Sequence, residues 1–396
     1  MIGKVRVRLQ KRTLASTRQI DEFDDLLYET TISSVRRRWR AGQGTFVLQS
    51  RERATFDAAE LAVVLSHFDL GVLESITDFP RGSRKSPKVG IVCERGKFLL
   101  KRRSTTRAHP ERVHLAHRVQ ALLTATRFPL PRLISARDGA TMLHLRDHLY
   151  ELFEFVAGHP FEHSVEESRD GGETLAWFHQ VTSPIPKLEE LPLARGDYHD
   201  ATGIRTGLCA IGGMLKSHDS FVGQEAELGP LTSELLASYD KWSELATQRG
   251  VTQYPPHLIH ADWHPGNILF RQRKVVAVVD YDSLRLSKRI IDVANGALQF
   301  SIMAGGDPVT WPDHPDEGRY RAFLEGYEAR WPLTPEERNC LPPLMAEALI
   351  SECVPPIAET GSVGPWAGFR VLQMVRRKLT WLAENEHMLL RDSSGP

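Results

Sequence analysis

The chain has 396 residues, and its 50 lysines and arginines balance 50 aspartates and glutamates, so the formal net charge is zero. This balance gives no whole-protein field that would attract nucleic acid or an anionic membrane, and we expect neither partner. With 41% hydrophobic and 25% charged residues, the composition excludes a largely disordered or fibrous chain. Four scattered cysteines without a CxxC pair favour a reducing compartment. No apolar run approaches the roughly 18 residues of a membrane helix and no signal-peptide core is visible, so we expect a soluble cytoplasmic protein.

The first 55 residues differ from the rest in their charge pattern. Basic residues cluster in Lys4–Arg12 and Arg36–Arg40, and the acidic run Asp21–Asp25 separates them. An arm that binds nucleic acid would need an uninterrupted basic stripe. We therefore interpret residues 1–55 as an N-terminal extension of the folded body.

Residues 56–156 carry the pattern of a small sheet. Apolar residues alternate in Lys88–Glu94 and Lys97–Arg102 on either side of a short turn, which predicts a β-hairpin. The 3-to-4 spacing of apolar residues in Glu111–Thr126 predicts an amphipathic helix. A further strand is predicted near His148–Val156, just before a break rich in glycine and proline.

Residues 157–396 are mostly helical in pattern, with one strand-rich island at Leu258–Asp282. The chain as a whole therefore predicts an α+β fold with a small antiparallel sheet and a larger, mostly helical part. The break after Val156 is the expected linker between the two.

The island contains three polar residues whose spacing indicates chemistry: Asp262, Asn267 and Asp280. Its two apolar runs flank a polar turn and predict a hairpin, with Asn267 at the start of the first strand and Asp280 at the end of the second. In an antiparallel pair these positions lie at the same end, where two oxygen-bearing side chains can bind Mg²⁺. Asp262 comes five residues before Asn267 and suits a base that orients an attacking hydroxyl.

The segment HADWHPGNILF, followed by VVDYD, resembles the catalytic loop and metal-binding segment of the aminoglycoside phosphotransferase/choline kinase superfamily. The resemblance implies a two-lobed, protein-kinase-like fold with an N-lobe at 56–156 and a C-lobe at 157–396. It also implies an ATP- and Mg²⁺-dependent kinase that phosphorylates a hydroxyl of a small molecule, such as an amino alcohol, an amino sugar or a sugar. The implied roles are catalytic base for Asp262, Mg²⁺ ligands for Asn267 and Asp280, and support of the loop for His260, Asp282 and Asp292.

A kinase-like N-lobe needs a strand lysine that binds the nucleotide phosphates, and Lys101 fits if it faces inward alongside Leu99. The following helix usually brings a glutamate to this lysine, but here Gln120 is the candidate, and an amide cannot neutralise the ammonium. The other predicted nucleotide-binding residues lie in the turn before the hairpin (Gly82, Ser83, Ser86) and at the hinge (Glu154, Phe155, Val156).

Two alternatives remain open at this level. Gln120 and the missing glycine-rich loop are compatible with a catalytically silent nucleotide-binding protein. The histidines His257, His260 and His264, together with Asp262, could instead bind the zinc ion of a hydrolase. For a kinase, the acceptor is not specified, although acidic residues and tryptophans in the helical part would suit a cation (Glu347, Glu352, Trp311, Trp366).

Overall fold

The computed structural model describes residues 54–79, 86–103, 109–185, 191, 193–216 and 224–390. They form two compact units: unit 1 runs to His159 and includes Val276–Asp282, and unit 2 comprises Pro160–Val275 and the chain from Ser283. Nearly all of the predicted N-terminal extension lies outside the described residues. Within the described part, no helix combines the length and the apolar character needed to cross a membrane.

Unit 1 is built on a six-stranded sheet with two helices in its described part. Its elements are α1 (Ala58–Ser66), β1 (Leu73–Asp78), β2 (Lys88–Cys93), β3 (Gly96–Arg103), α2 (Pro110–Ala125), β4 (Leu133–Ile134), β5 (Leu143–Leu145) and β6 (His148–Glu154).

The sheet of unit 1 is antiparallel, with strand order β1-β2-β3-β6-β4 and with β5 paired to β6. The predicted hairpin is confirmed, because β2 and β3 pair across a two-residue turn. Side chains alternate between the two faces of β3. Phe98 and Leu100 enter the apolar core, whereas Lys101 lies on the opposite face with Leu99. Lys101 therefore has the register that the alternation predicted.

Unit 2 is mostly helical in its described part and contains short strands around the island. Its elements are α3 (Val165–Thr182), β7 (Ala194–Arg195), α4 (Thr202–Lys216), α5 (Glu225–Gln248), β8 (His257–Ile259), β9 (Ile268–Arg271), β10 (Lys274–Val278, whose last three residues belong to unit 1), β11 (Arg285–Ser287), α6 (Arg289–Ser301), α7 (Glu317–Glu328), α8 (Pro335–Ser351), α9 (Val354–Thr360), β12 (Ser362–Val363), β13 (Trp366–Ala367) and α10 (Gly368–Leu389).

Helices α3 and α7 pack closely because glycine stands where their backbones meet. A Cβ on Gly172 would lie 1.9 Å from the carbonyl oxygen of Phe323, and one on Gly326 would lie 1.9 Å from that of Arg169. Any side chain at either position would push the helices apart. This packing helps to fix α3, and Nε2 of its residue His179 lies 3.2 Å from Oδ2 of Asp292.

The predicted α+β fold class is confirmed. The antiparallel sheet lies in unit 1, and the long helices that bury most of the apolar residues of the second half lie in unit 2. The unit boundary falls after His159, and a short piece that follows the catalytic loop in sequence, Val276–Asp282, belongs to unit 1.

Candidate active site

The catalytic loop, residues 260–267, follows β8 and is held by a buried carboxylate. Asp292, in the first turn of α6, accepts hydrogen bonds from the backbone N–H groups of His260 (2.7 Å) and Ala261 (2.8 Å). Its Oδ2 also lies 3.2 Å from Nε2 of His179. Ala261 has a φ of 61°, which residues with a Cβ rarely adopt. Asp292 thus stabilises a strained turn, the bracing contact expected of it.

His260, the first residue of this loop, is fully buried. Its ring packs edge-to-face against Phe178, with centroids 5.9 Å apart, and against Trp263, at 5.5 Å. This environment suits a structural member of the loop, because the ring is enclosed by aromatic side chains.

Asp262 lies in the loop with one carboxylate oxygen bonded and the other available. Its Oδ2 accepts a hydrogen bond from Nδ2 of Asn267 (2.8 Å), and Nε2 of His264 lies 3.5 Å from Oδ1. The Nδ1 of His264 accepts a hydrogen bond from the N–H of Gly266 (3.0 Å), so a neutral ring carries its proton on Nε2, towards Asp262. The Nε2–H of His264, at 3.5 Å, is too distant to be more than a weak donor to Oδ1, so this oxygen can still accept a hydrogen bond from a substrate.

The predicted hairpin of the island is present as β9 and β10. Its turn residues Gln272 and Arg273 have φ values of 51° and 62°, as in the tight turns that favour hairpins. The strand ends differ slightly from the prediction. Asn267 closes a 3₁₀ turn before β9 rather than starting the strand, and β10 ends at Val278, two residues before Asp280.

Asp280 follows β10 with a φ of 66°, in a region that aspartate enters more readily than most residues. In unit 1 its Oδ1 lies 3.5 Å from Nζ of Lys101. That oxygen is buried and forms an ion pair with the Lys101 ammonium, although no hydrogen bond from the described residues reaches it. The Asp280 side chain as a whole is 39% exposed, so a further cation can approach the carboxylate.

Lys101 is buried and its ammonium is paired with two carboxylates of unit 1. Nζ lies 3.0 Å from Oδ2 of Asp282, in addition to its contact with Asp280. Burial lowers the pKa of Lys101, but the charges of the two aspartates outweigh burial and raise it above the ordinary value. The lysine is therefore charged at neutral pH, as a phosphate-binding residue must be.

Arg103 lies on the same face of β3 and was not recognised from the sequence as part of the site. It forms a two-pronged ion pair with Glu151 of β6 (Nε to Oε2, 2.7 Å; Nη2 to Oε1, 2.8 Å) and also contacts Asp282. Burial opposes ionisation of Asp282, but Lys101 and Arg103 hold its pKa well below the usual range. Asp282 is thus a permanent anion that holds the lysine in position.

Helix α2 contributes His117 to this network, not Gln120. Nε2 of His117 lies 2.7 Å from Oε1 of Glu151, and Nδ1 lies 2.8 Å from Oγ1 of Thr141. Gln120 is buried, but no hydrogen bond joins its side chain to Lys101 in the part of the chain that the structure describes. The predicted Gln120–Lys101 contact is therefore wrong, because the lysine donates to carboxylates, which are stronger acceptors than an amide.

The predicted phosphate-binding turn is only partly described. Gly82 and Ser83 lie outside the described residues. Ser86 is described and half-buried, two residues before the start of β2. A role in binding phosphate remains a prediction for all three residues.

The predicted hinge follows the end of β6. The N–H of Glu154 donates to the carbonyl of Arg132 (2.9 Å), and that of Phe155 donates to the carbonyl of Lys97 (2.9 Å). Within the described residues, the N–H of Val156 has no backbone acceptor. Of the three predicted hinge residues, Val156 therefore retains a donor that could bind a nucleotide base.

The zinc-binding alternative is not supported by the geometry. In the described chain, no three of His257, His260, Asp262 and His264 bring ligand atoms within 4.8 Å of one another. The ring of His257 packs against Trp331, with centroids 5.5 Å apart, and burial lowers its pKa to about 4. The four residues are close in sequence, but the loop directs them to different surroundings.

Unit 2 contains a cavity of about 410 Å³ that is bordered by the catalytic loop through His264. Aromatic side chains form much of its wall, and Trp311 and Trp366 meet edge-to-face with centroids 4.9 Å apart. The volume falls in the range typical of small-molecule sites. The sequence indicated both tryptophans, but it gave no signal for Phe161 and His163, which also border the cavity.

Glu352 borders the same cavity from the C-terminal end of α8. Its side chain is exposed and lies on the cavity. Partial desolvation by the cavity wall and the charge of Asp262 raise the pKa of Glu352 to about 7, and a hydrogen bond from Asn295 opposes them only in part. A carboxyl group with a perturbed pKa, in a cavity and near a candidate base, is characteristic of a functional site.

Comparison with known proteins agrees with this geometry. The model of the phosphotransferase enzyme family matches residues 82–338, which is more than half of the chain. The chain belongs to this family. It is also 26% identical over 314 residues to a homoserine kinase from Caulobacter sp. strain K31, in a match that covers 76% of this chain and 87% of that protein.

Solved structures confirm the predicted protein-kinase-like fold. An aminoglycoside phosphotransferase from Alicyclobacillus acidocaldarius matches with a TM-score of 0.62 and 16% identity, over 86% of this chain and 98% of that one. The amicoumacin kinase structure with AMP-PNP and Ca²⁺ matches with a TM-score of 0.59 and 14% identity, over 83% and 94%.

The family match supports the enzymatic interpretation. The chain is a small-molecule kinase, and it transfers a phosphoryl group from ATP to a hydroxyl of its acceptor. The alternative of a catalytically silent protein is set aside by this finding. The roles of individual residues and the identity of the acceptor belong to the proposal that follows.

Proposed function

We propose that Asp262 is the catalytic base of this kinase and that its acceptor is a small hydroxy amino acid such as homoserine. The observation that carries the first part is the state of the Asp262 carboxylate. Asn267 fixes Oδ2, and the His264 Nε2 that faces Oδ1 lies 3.5 Å away, at the limit of a weak hydrogen bond. A base needs one oxygen held in place and one directed to the proton it removes.

In the proposed reaction the acceptor hydroxyl donates its proton to Oδ1 of Asp262. The hydroxyl oxygen forms a bond to the γ-phosphorus of ATP, and the bond between that phosphorus and the bridging oxygen breaks to release ADP. Orientation of the hydroxyl contributes as much as its deprotonation, because phosphoryl transfer depends mainly on positioning and charge stabilisation.

We propose Asn267 and Asp280 as the protein ligands of Mg²⁺. The donor set fits, because Asn267 uses Nδ2 to bind Asp262 and keeps Oδ1 for a cation, and Asp280 offers a carboxylate on a side chain that is 39% exposed. Mg²⁺ takes one or two protein oxygens and fills its remaining positions with water and phosphate. When bound, the ion would neutralise charge on the nucleotide phosphates.

The nucleotide-binding role is proposed for Lys101, supported by Asp282. The ammonium is charged and held by a carboxylate before any ligand binds, so little rearrangement is needed when phosphate arrives. The N–H of Val156 is the proposed hydrogen-bond donor to the adenine base of the nucleotide. The serines and glycine of the preceding turn, Gly82, Ser83 and Ser86, remain candidates for the phosphates.

The acceptor is proposed from two independent sources. The relative described above is named homoserine kinase, and this chain covers 87% of its length. The cavity beside the catalytic loop has a carboxylate and aromatic walls, which suit a compact molecule with an ammonium group. A hydroxyl on such a molecule could reach the loop that carries Asp262.

An ATP-consumption assay tests this proposal. The full-length protein is incubated with Mg·ATP and a panel of amino alcohols, sugars, aminoglycosides and L-homoserine. We expect acceptor-dependent ADP release with homoserine, and we expect Asp262→Asn to lose it. Turnover by Asp262→Asn at the wild-type rate would contradict the role of the base, and turnover only with sugars would contradict the proposed acceptor.

A further inference from the structure

Two groups of opposite electrostatic character border the cavity of unit 2. One is Glu352, which lies in the field of Asp262. The other is His163, which is backed by the buried guanidinium of Arg319. A ligand that bears only a cation would use one of these groups and leave the other without a function.

The Glu352 carboxyl lies on the cavity at the end of a helix. The polar groups that influence it are Asp262 on the catalytic loop and Asn295 on α6, and its sequence neighbour Cys353 also borders the cavity. Asn295 is buried, and its Oδ1 has no hydrogen-bond partner within the described residues. A cation beside Glu352 would relieve the repulsion between the two carboxylates.

His163 lies before α3 and has a φ of 61°, which is costly for a residue with a Cβ. Its Nδ1 lies 3.0 Å from Nη1 of Arg319, and because a guanidinium can only donate, Nδ1 is the acceptor. Burial, followed by the charge of Arg319, lowers the pKa of His163, and Asp316 opposes this only in part. The ring is therefore neutral, and its remaining proton is on Nε2.

Arg319 is 3% exposed, and its nearest carboxylate is that of Asp316, at 3.3 Å from Nε. Its charge polarises His163, so Nε2–H is a strong donor for an anionic oxygen. Trp311 also borders the cavity, and its ring is 8% exposed.

We propose that this cavity binds the acceptor as a zwitterion, with its ammonium at Glu352 and its carboxylate at His163. The acceptor class is therefore a hydroxy amino acid, not a simple amino alcohol or an amino sugar. The inference rests on the proposed phosphotransfer function and assigns its specificity to two residues outside the catalytic loop. Each charge contributes through a charge-assisted hydrogen bond, so deletion of either should weaken binding roughly 10- to 100-fold.

Three probes separate the two contacts. L-Homoserine carries both charges, 3-aminopropan-1-ol lacks the carboxylate, and 4-hydroxybutyrate lacks the ammonium. Each is titrated calorimetrically at pH 8 into the full-length wild type and into Glu352→Gln and His163→Asn. Asparagine suits position 163 because it accepts a positive φ better than most residues. Glu384→Gln, an exposed substitution on α10 away from the cavity, is the matched control.

We expect the wild type and the control to bind homoserine at least tenfold more tightly than either analogue. Glu352→Gln should abolish the advantage over 4-hydroxybutyrate, and His163→Asn the advantage over 3-aminopropan-1-ol. Wild-type affinity of both variants for Mg·ATP confirms that they are folded. Equal binding of the three probes by the wild type, no binding of any, or equal weakening of all three by both variants would overturn the inference.

Turnover distinguishes this inference from the proposed function. If the protein binds the zwitterion with the expected selectivity but consumes no ATP with it, the assignment of the acceptor to phosphotransfer fails and the binding site stands. If it consumes ATP equally well with acceptors that lack one charge, the kinase assignment stands and the zwitterion site fails.

Discussion

Charged side chains follow opposite arrangements in the two units. In unit 1, Lys101 and Arg103 pair with Asp282 and Glu151 in a buried network. In unit 2, Glu352 borders a cavity near a second carboxylate and has its pKa raised. The paired charges hold binding groups in a fixed geometry before a ligand arrives. The repulsion between the two carboxylates of unit 2 is relieved only when a ligand brings positive charge.

Strained backbone conformations occur at the functional residues of both units. Asp280 near the lysine, Ala261 in the catalytic loop and His163 at the cavity all have positive φ values. Such conformations persist where surrounding contacts hold them, and they are concentrated at functional sites. Around Ala261, the contacts that do so are the two hydrogen bonds to Asp292.

The largest effect expected from breaking the paired network is on Lys101. Lys101→Ala should reduce kcat/KM for ATP on the order of a hundredfold, because it removes a charge that stabilises the transferred phosphates. Arg102 is the matched control: it faces the other side of β3 and pairs with Glu60 at 2.8 Å. Arg102→Ala should keep activity within about threefold of wild type. Steady-state rates with varied ATP measure both, and equal losses would show that the face of β3 is misassigned.

A second prediction concerns the stability that this network gives to the fold. Burial raises the pKa of Glu151, but Arg103, His117 and Lys101 outweigh it and hold the pKa below the ordinary value. Ionised Glu151 therefore stabilises the fold above its unfolded-state pKa, and this stability is lost as the pH falls below that value. Glu151→Gln should reduce the free energy of unfolding by about 3 kcal/mol at pH 7, since it removes the buried carboxylate that binds Arg103 through both oxygens and leaves only Asp282 as its partner.

Denaturant unfolding at several pH values measures this loss. The difference between Glu151→Gln and wild type should shrink as the pH falls towards 4 and below, where the Glu151 carboxylate of the unfolded chain begins to bind protons while that of the folded protein is still ionised. A difference that is constant from pH 7 to pH 4 would show that packing, not charge, accounts for the loss.

The smallest effect concerns the unpaired group of unit 2. Desolvation at the cavity wall and the charge of Asp262 raise the pKa of Glu352 to about 7, so it is mostly ionised at pH 8 and mostly neutral at pH 6. If ionised Glu352 binds the ammonium, KM for homoserine should rise about tenfold between pH 8 and pH 6. Initial rates with saturating ATP measure this rise, and Glu352→Gln should have a high KM that varies little with pH. A steep profile retained in the variant would assign the titration to another group.

The sequence predicted the parts of the site that depend on local periodicity. Alternation along β3 gave the face of Lys101, and apolar runs around a polar turn gave the hairpin of β9 and β10, because strand period and turn chemistry are local properties. The spacing of Asp262 and Asn267 within one short loop likewise limited how far apart they could lie.

Long-range partners could not be predicted in the same way. Glu151 meets Arg103 through a strand pairing that the sequence does not specify, and Asp282 reaches Lys101 from 181 residues away. On α2, His117 and Gln120 are one turn apart and both buried, so periodicity could not decide which one enters the network. His163 had no signal at all, because its positive φ and its contact with Arg319 arise only in the folded chain.

The central claim is that Asp262 acts on the acceptor hydroxyl, whereas Asp280 binds the metal–nucleotide complex. Calorimetric titration of Mg·ATP into Asp262→Asn and Asp280→Ala, beside steady-state rates for both, tests this claim most directly. Asp262→Asn should lose about a hundredfold or more in kcat while binding Mg·ATP within a small factor of wild type. Asp280→Ala should lose Mg²⁺-dependent ATP affinity together with turnover. Loss of nucleotide binding in Asp262→Asn, or wild-type Mg·ATP affinity in Asp280→Ala, would contradict the account.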